Sequence, residues 1–313
     1  MRAGLRLIVP AALLAGLSCD GSGPLPASQL GSLSVTPANV ALEGIRLHST
    51  DREGTVRTFR EQVTRDGRGG GDIELVEIDG LGAVEFQSAG RAAEWISFAN
   101  LYALQKSYLA KYRDFTVVDP ELVLDNYAIE VSPYSPPVLG RSTGQARFRR
   151  KSDGRAFEVV WDLETGVVLD AQEFDDANHL VARTQYVSIT FPPAPSPPGH
   201  LVTHGAPVDE DIPEGYRPGA LPQGFRARRA YAAQIPGGEK ARVDEYTDGI
   251  DRLFLVQRPQ TSPSPTSSGP IEVRRLRSGV VEMLEIDLPG AVATVVGKLS
   301  LDDLRLVLAS LRR

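Results

Sequence analysis

The chain has 313 residues, of which 42% are hydrophobic and 24% charged, with a formal net charge of -6. That balance excludes the basic footprint on which non-specific nucleic-acid binding depends. A single cysteine excludes an intramolecular disulfide, so stability must come from core burial, which a chain of this length can supply.

The N-terminus reads "MRAGLRLIVPAALLAGLSC". Arg2 and Arg6 form a basic segment, Leu7 to Leu17 an apolar run of 11 residues, and Ala15, Gly16 and Ser18 are small. This is the layout of a signal peptide over residues 1–18, and the run is too short to span a bilayer, which takes about 20 residues. Cys19 follows directly. Gly16-Leu17-Ser18-Cys19 resembles the lipobox of bacterial lipoproteins, although Gly16 and Leu17 differ from the usual residues at their positions. Three readings stand: Cys19 is lipidated and becomes the mature N-terminus, or an ordinary signal is cleaved beside an incidental cysteine, or the signal stays as an anchor. Acylation would remove a thiol that is a liability in an oxidising compartment. Asp20 resembles an inner-membrane retention signal. Residues 19–44, rich in Gly, Pro and Ser, are expected to form a flexible tether.

A first domain is expected over 45–191. "TVRTFREQV" (55–63) and "DIELVEIDG" (72–80), joined by the glycine-rich "RDGRGGG", have the signature of a β-hairpin. In 90–114, Trp95, Phe98, Tyr102, Gln105 and Leu109 fall at helical spacing, which predicts an amphipathic helix over 91–112. Residues 144–190 predict four strands, with turns at 152–154, 164–166 and 175–179. Phe157, Val159, Trp161 and Leu163 share one face of the second strand, with Glu158 and Asp162 on the other. Ala146 and Phe148 alternate with Arg147 and Arg149 in the strand before it. One greasy and one charged face describe a half-solvated antiparallel sheet. The 91–112 helix is the expected cover, and a ligand could share that role. Trp95, Phe98, Tyr102, Phe148, Phe157 and Trp161 are thus apolar-cavity candidates, with plain core packing open for each.

A Pro-rich linker is expected over 192–215 and a small α+β domain over 216–313. The second domain should have five or so strands, a hairpin turn at Asp248-Gly249, and a C-terminal helix capped by Ser300 with Asp303 at its third position.

No catalytic constellation assembles. "GRSTG" (140–144) matches G-x-S-x-G, but a strand follows Ser142, whereas the nucleophile needs a strand–turn–helix context. His200 and His204 are four apart but lie in the Pro-rich stretch without the glutamate of a zinc helix, and no metal is expected there. "GRGGG" joins two strands rather than opening a helix, so it is a weak phosphate cradle. Asp175-Asp176 and Asp302-Asp303 have turn and capping explanations. "RFRRK" (147–151) and "RRLR" (274–277) read as solvated strand faces, with an anionic partner as the sharper alternative. A covered sheet without chemistry suggests a binding or carrier protein with no cofactor.

Several motifs, in order and spacing, resemble the RseB/MucB family of periplasmic regulators of an envelope-stress sigma factor. Gly140-Arg141 is similar to that family's "AGR". "VVWDLETGVVLDAQEFDDANHLVARTQY" (159–186) is similar to its "LWLD-x-x-TGLPL" hairpin and neighbouring strands. "LPQGF" (221–225), "YTDGI" (246–250) and "VVGKLSLDDLRLVLASL" resemble the opening, a turn and the end of its second domain. The resemblance implies an α+β fold: a curved antiparallel β half-barrel with a plugging helix, like the lipoprotein carriers LolA and LolB, followed by a smaller α+β domain. It implies a non-enzymatic protein of the periplasm or cell envelope. Its partners would be the periplasmic segment of an anti-sigma factor, a lipid or lipoprotein ligand, and the membrane through the lipid anchor. Family members are typically soluble, so the anchor also leaves open a LolA/LolB-like lipid or lipoprotein carrier without a sigma-factor role.

Replacing Cys19 by alanine is expected to move the protein from the membrane to the soluble fraction on cell fractionation; unchanged membrane retention would reject lipidation.

Overall fold

A computed structural model describes residues 40–52, 55–67, 71–78, 81–82, 115–132, 135–192, 212–234, 240–260, 274–278 and 281–313. The signal-like segment 1–18, Cys19, the expected 91–112 helix with Trp95, Phe98 and Tyr102, and the His200/His204 pair lie outside the described residues.

The first half is one antiparallel sheet of nine strands: β1 (Ala41–Arg52), β2 (Thr55–Asp66), β3 (Gly71–Ile78), β4 (Leu81–Gly82), β5 (Tyr127–Val131), β6 (Thr143–Arg150), β7 (Ala156–Asp162), β8 (Val168–Phe174) and β9 (Leu180–Thr190). A short helix, α1 (Pro120–Asn126), precedes β5. The order is β4-β3-β2-β1-β9-β8-β7-β6-β5, so two meanders are joined where β1 pairs with β9. Register shifts leave Val76 of β3, Leu169 of β8 and Val181 and Val187 of β9 as extra residues opposite their partner strands, the pattern of bulges, which bend a strand and tighten its twist. Among the described residues the sheet is open, with β4 and β5 at its edges.

The β2–β3 hairpin forms as expected, and the turns predicted at 152–154, 164–166 and 175–179 join β6 to β9. β1 begins at Ala41, so residues 41–44, read as the end of the tether, are strand; Leu42 is wholly buried. Nor did apolar alternation announce β1, because its inward side chains include Arg46, His48 and Thr50. Two of them bond across the sheet. Arg46 Nε donates to Glu61 Oε2 at 2.7 Å, and His48 Nδ1 lies 2.8 Å from Thr184 Oγ1. Two positions on β7 and its turn also differ from expectation. Leu163 is 59% exposed, because β7 ends one residue earlier. Asp162, expected on the solvated face, is buried at that strand end, where Arg141, Thr165 and the Glu164 amide bond it.

The inward faces of β5 to β8 pack Ala146, Phe148, Phe157, Val159 and Trp161 with Tyr127. Among the described residues the cover comes from Phe115, Val117 and Val123, in the segment leading into and forming α1. Gly144 permits this packing, since a Cβ there would lie 2.4 Å from a ring carbon of Trp161.

The second half contains β10 (Arg217–Pro218), β11 (Arg226–Gln234), β12 (Lys240–Thr247), β13 (Arg252–Pro259), β14 (Arg274–Ser278), β15 (Val281–Leu288), β16 (Ala291–Gly297), α2 (Leu301–Ala309) and β17 (Leu311–Arg312). Six strands form an antiparallel sheet in the order β11-β12-β13-β16-β15-β14, while β10 pairs with β17. α2 lays Leu304, Val307 and Leu308 on Leu253, Leu255, Leu284, Ile286 and Val295. Its cap is the one expected: Ser300 Oγ accepts from the Asp303 amide at 3.1 Å and donates to Asp303 Oδ2 at 2.7 Å. Residues 213–216, at the end of the expected linker and just beyond it, bond to the sheet. Pro213 O accepts from Arg242, and the Tyr216 amide donates to Gln257 Oε1 at 2.6 Å.

Gly144→Ala is expected to cost about 1–3 kcal/mol by forcing the Trp161 ring aside. Urea unfolding reads this directly, and a midpoint equal to wild type would contradict the packing argument.

Candidate functional site at the junction of the two sheets

The turn between β12 and β13, residues 248–251, is held by its own polar groups. Asp248 Oδ1 accepts from the amides of Ile250 at 3.1 Å and Asp251 at 2.8 Å. Thr247 Oγ1 donates to Asp251 O at 2.7 Å and accepts from the Gly249 amide at 3.0 Å. Gly249 has φ +111°, and a Cβ there would stand 2.6 Å from the Val123 amide nitrogen. Only glycine suits both the backbone angle and the close approach.

This turn is a plug rather than a solvated tip. Gly249 O accepts from the amides of Val118 at 2.7 Å and Asp119 at 3.3 Å. Ile250 is buried in the same apolar cluster as Phe115, Phe148, Phe157 and Trp161. Beside it, Arg150 at the end of β6 bonds Asp248 Oδ2 at 2.8 Å and Asp251 Oδ2, and reaches Asp153 at 3.1 Å. Tyr127 donates its hydroxyl to Asp248 Oδ2 at 2.8 Å. Asn126 Nδ2 donates to Asp248 O at 2.8 Å and Gly224 O at 3.1 Å. Farther along, Lys298 Nζ pairs with Glu173 at 2.8 Å, and Arg155 donates to Lys298 O at 2.8 Å.

Burial shapes the titration of this cluster. It pushes the Asp248 carboxyl above its ordinary range, with Arg150 opposing and Asp251 reinforcing the shift. Burial likewise raises the Tyr127 hydroxyl, again against Arg150. Burial works against ionised Asp153 as well, but Arg150 and Arg155 outweigh it and hold that carboxyl below its ordinary range.

Of the cavity candidates, the structure brings Phe148, Phe157 and Trp161 together in one cluster, 0%, 6% and 3% exposed. Next to it lies a cavity of about 30 Å³, lined in part by Arg46, Arg65, Phe115, Thr184 and Tyr186. Drug-sized ligands occupy pockets of roughly 300–1,000 Å³, so this space admits water rather than a ligand of that size. Ser142 is exposed on its turn, as expected of a bland glycine-bounded loop. Among the described residues no cluster of three His, Cys, Asp or Glu side chains could hold a metal ion.

Arg150 is the residue that sequence reasoning misplaced. "RFRRK" reads as a solvated run, yet Arg150 is 4% exposed. The usable signal was parity, since Ala146, Phe148 and Arg150 alternate onto one face. Arg147 and Lys151 do stay near the surface. Arg147 lies over the Phe174 ring, and Lys151 Nζ bonds the carbonyls of Leu124 and Asp125 at the end of α1. The strand positions of "RRLR" are those of β14.

No protein-family model matches the sequence, and no curated protein sequence matches it. Solved structures do. A crystal structure of MucB in complex with MucA(peri) and the MucA/MucB complex of Pseudomonas aeruginosa each match at TM-score 0.52 and 18% identity, covering 91% of this chain and 98% of that chain. A crystal structure of MucB matches at TM-score 0.51 and 20% identity, covering 91% and 97%. The chain therefore has the MucB fold across both halves.

Arg150→Met would leave Asp248 and Asp251 buried against each other and is expected to cost about 3–5 kcal/mol at neutral pH. Burial raises the folded-state pKa of Asp248 and Arg150 opposes that rise, so removing Arg150 raises it further; ionisation then penalises the folded variant more than wild type, and the extra penalty lifts as pH falls through that raised range. The deficit measured by urea unfolding should thus shrink from neutral to mildly acidic pH; one that stays constant or grows would refute the assignment.

Proposed function

We propose that the chain is a non-enzymatic periplasmic binding protein of the MucB type that engages the periplasmic segment of a membrane anti-sigma factor. The observation that carries this reading is the extent of the structural likeness, which takes in 91% of this chain and 98% of MucB in its complex with MucA(peri). A carrier consisting of one half-barrel alone would match over the first half only.

In this reading residues 41–191 form a LolA-like ligand-sensing domain and 213–313 a smaller second domain, joined by the Pro-rich stretch between them. Cys19 carries the lipid that keeps the protein at the membrane, close to a membrane-bound partner. Lipid-type signals act at the apolar face of the first sheet, where Phe148, Phe157 and Trp161 lie and where the 91–112 helix with Trp95, Phe98 and Tyr102 is expected to pack. The Ile250 plug shares that apolar cluster, which supports a link between ligand occupancy and the seating of the second half.

The mature protein is expected to retain the periplasmic segment of the anti-sigma factor encoded in the same genome in a pull-down, and to release it when phospholipid or acylated peptide is added. No capture, or capture indifferent to lipid, would sink this function.

A further inference from the structure

The end of the first sheet opposite the junction carries exposed apolar side chains that packing among the described residues does not explain. β6 and β7 reach it through two neighbouring turns. Val138 and Arg141 exchange hydrogen bonds of 3.2 and 2.9 Å around Leu139-Gly140, and the Leu163 amide bonds Ser142 O at 2.9 Å. Arg141 ties the two turns together through Asp162 and Glu164, at 2.8 and 2.6 Å.

Leu139 and Leu163 are 42% and 59% exposed. Leu139 has φ +52° and Gly140 φ +72°, the geometry of a two-residue hairpin turn that favours Asn, Asp or Gly at both positions. A leucine there is sterically disfavoured and stays 42% exposed. Beneath the two turns, Val40, Val138, Ile189 and Phe191 are half-buried against Leu42, Val63 and Tyr186, with the Arg141 guanidinium 5.0 Å from the Phe191 ring centre.

The position of this surface along the chain identifies what faces it. β1 starts here, because Glu43 pairs with Thr190 at the end of β9. Twenty residues separate Cys19 from Val40. A Gly-, Pro- and Ser-rich chain of that length has a root-mean-square reach of about 25 Å. A lipid on Cys19 would hold this end, and not the distal end with the second half, within one tether length of the bilayer. At such short range a modest apolar contact suffices, because the tether supplies a high effective concentration.

We propose that this end of the sheet docks on the lipid bilayer, with Leu139 and Leu163 entering the boundary between headgroups and acyl chains. The inference rests on the reading of Cys19 as the lipid anchor. It sets an orientation in which the strands run away from the membrane and the second half is the part held farthest from it.

The single cysteine allows a test that does not depend on whether cells acylate it. The chain from Cys19 onward is coupled through that thiol to a maleimide lipid in vesicles of phosphatidylglycerol and dibrominated phosphatidylcholine. Tryptophan reporters are placed by Leu139→Trp, Leu163→Trp and, on α2 of the second half, Leu306→Trp, each read against wild type. Leu163→Trp lies outside the positive-φ turn and stands as reporter if Leu139→Trp misfolds. Bromine quenching beyond wild type is expected at 163 and 139 and not at 306. Equal quenching at all three, or none at 139 and 163 on vesicles whose coupling is verified by mass, would overturn the proposal. So would a concentration-dependent dimer in sedimentation that Leu163→Asp abolishes, which would assign this face to a second copy. Failure of the Cys19→Ala fractionation alone would instead reject the anchor.

Discussion

One guanidinium holds the two halves of this protein in register. Arg150 is nearly sealed from solvent and lies between Asp248 and Asp251 of the other sheet, with Tyr127 completing the set. Desolvating an arginine and two aspartates is unfavourable unless all three remain bonded to one another. That constraint makes the docking geometry narrow: a small displacement of the 248–251 turn would strand charges in a dry place. The apolar energy comes from beside it, where Ile250 completes a cluster otherwise built by the first half. The polar network selects the arrangement and the apolar contact stabilises it.

The same division recurs elsewhere. Arg242 grips Asp244 with two bonds of 2.8 and 2.6 Å while Gln257 links that pair to the backbone of Tyr216. Glu245, wholly buried, collects Arg228 and Arg229, and burial is outweighed by the neighbouring arginines in keeping it ionised. In a chain with no disulfide, such sites fix which strand meets which, and the aliphatic layers supply most of the driving force.

The legible parts of the sequence were those where local chemistry and final environment agree. The β6–β9 meander showed itself because its turns carry Asp, Asn and Gly at positions that need them, and because Phe157, Val159 and Trp161 alternate cleanly. α2 was readable from its cap. What stayed hidden was set by distant contacts. β1 has inward polar residues whose partners sit on β2 and β9, so its pattern resembles a surface segment. α1 is only seven residues long, too short for helical periodicity to register. "YTDG" marks a hairpin turn, and turns with Asp and Gly are usually wet; nothing local reveals that this one is inserted into another sheet. Arg150 was concealed by the charges on either side of it. The likeness to MucB at 18% identity fits the same account, since face parity and turn chemistry tolerate wide substitution while preserving the fold.

The place of β1 has a mechanical consequence. It is the first strand among the described residues, and it runs twelve residues through the interior of the sheet, with β2 along one side and β9 along the other. A pull on the start of β1, resisted at the far end of the sheet where the second half is seated, acts along the strand axis. Inter-strand hydrogen bonds in antiparallel pairs lie across that axis. The load is therefore shared by both ladders at once, in shear, rather than opening them one bond at a time from an edge. Among the described residues, a load that enters at the start of β1 thus falls on a strand bonded along both of its sides.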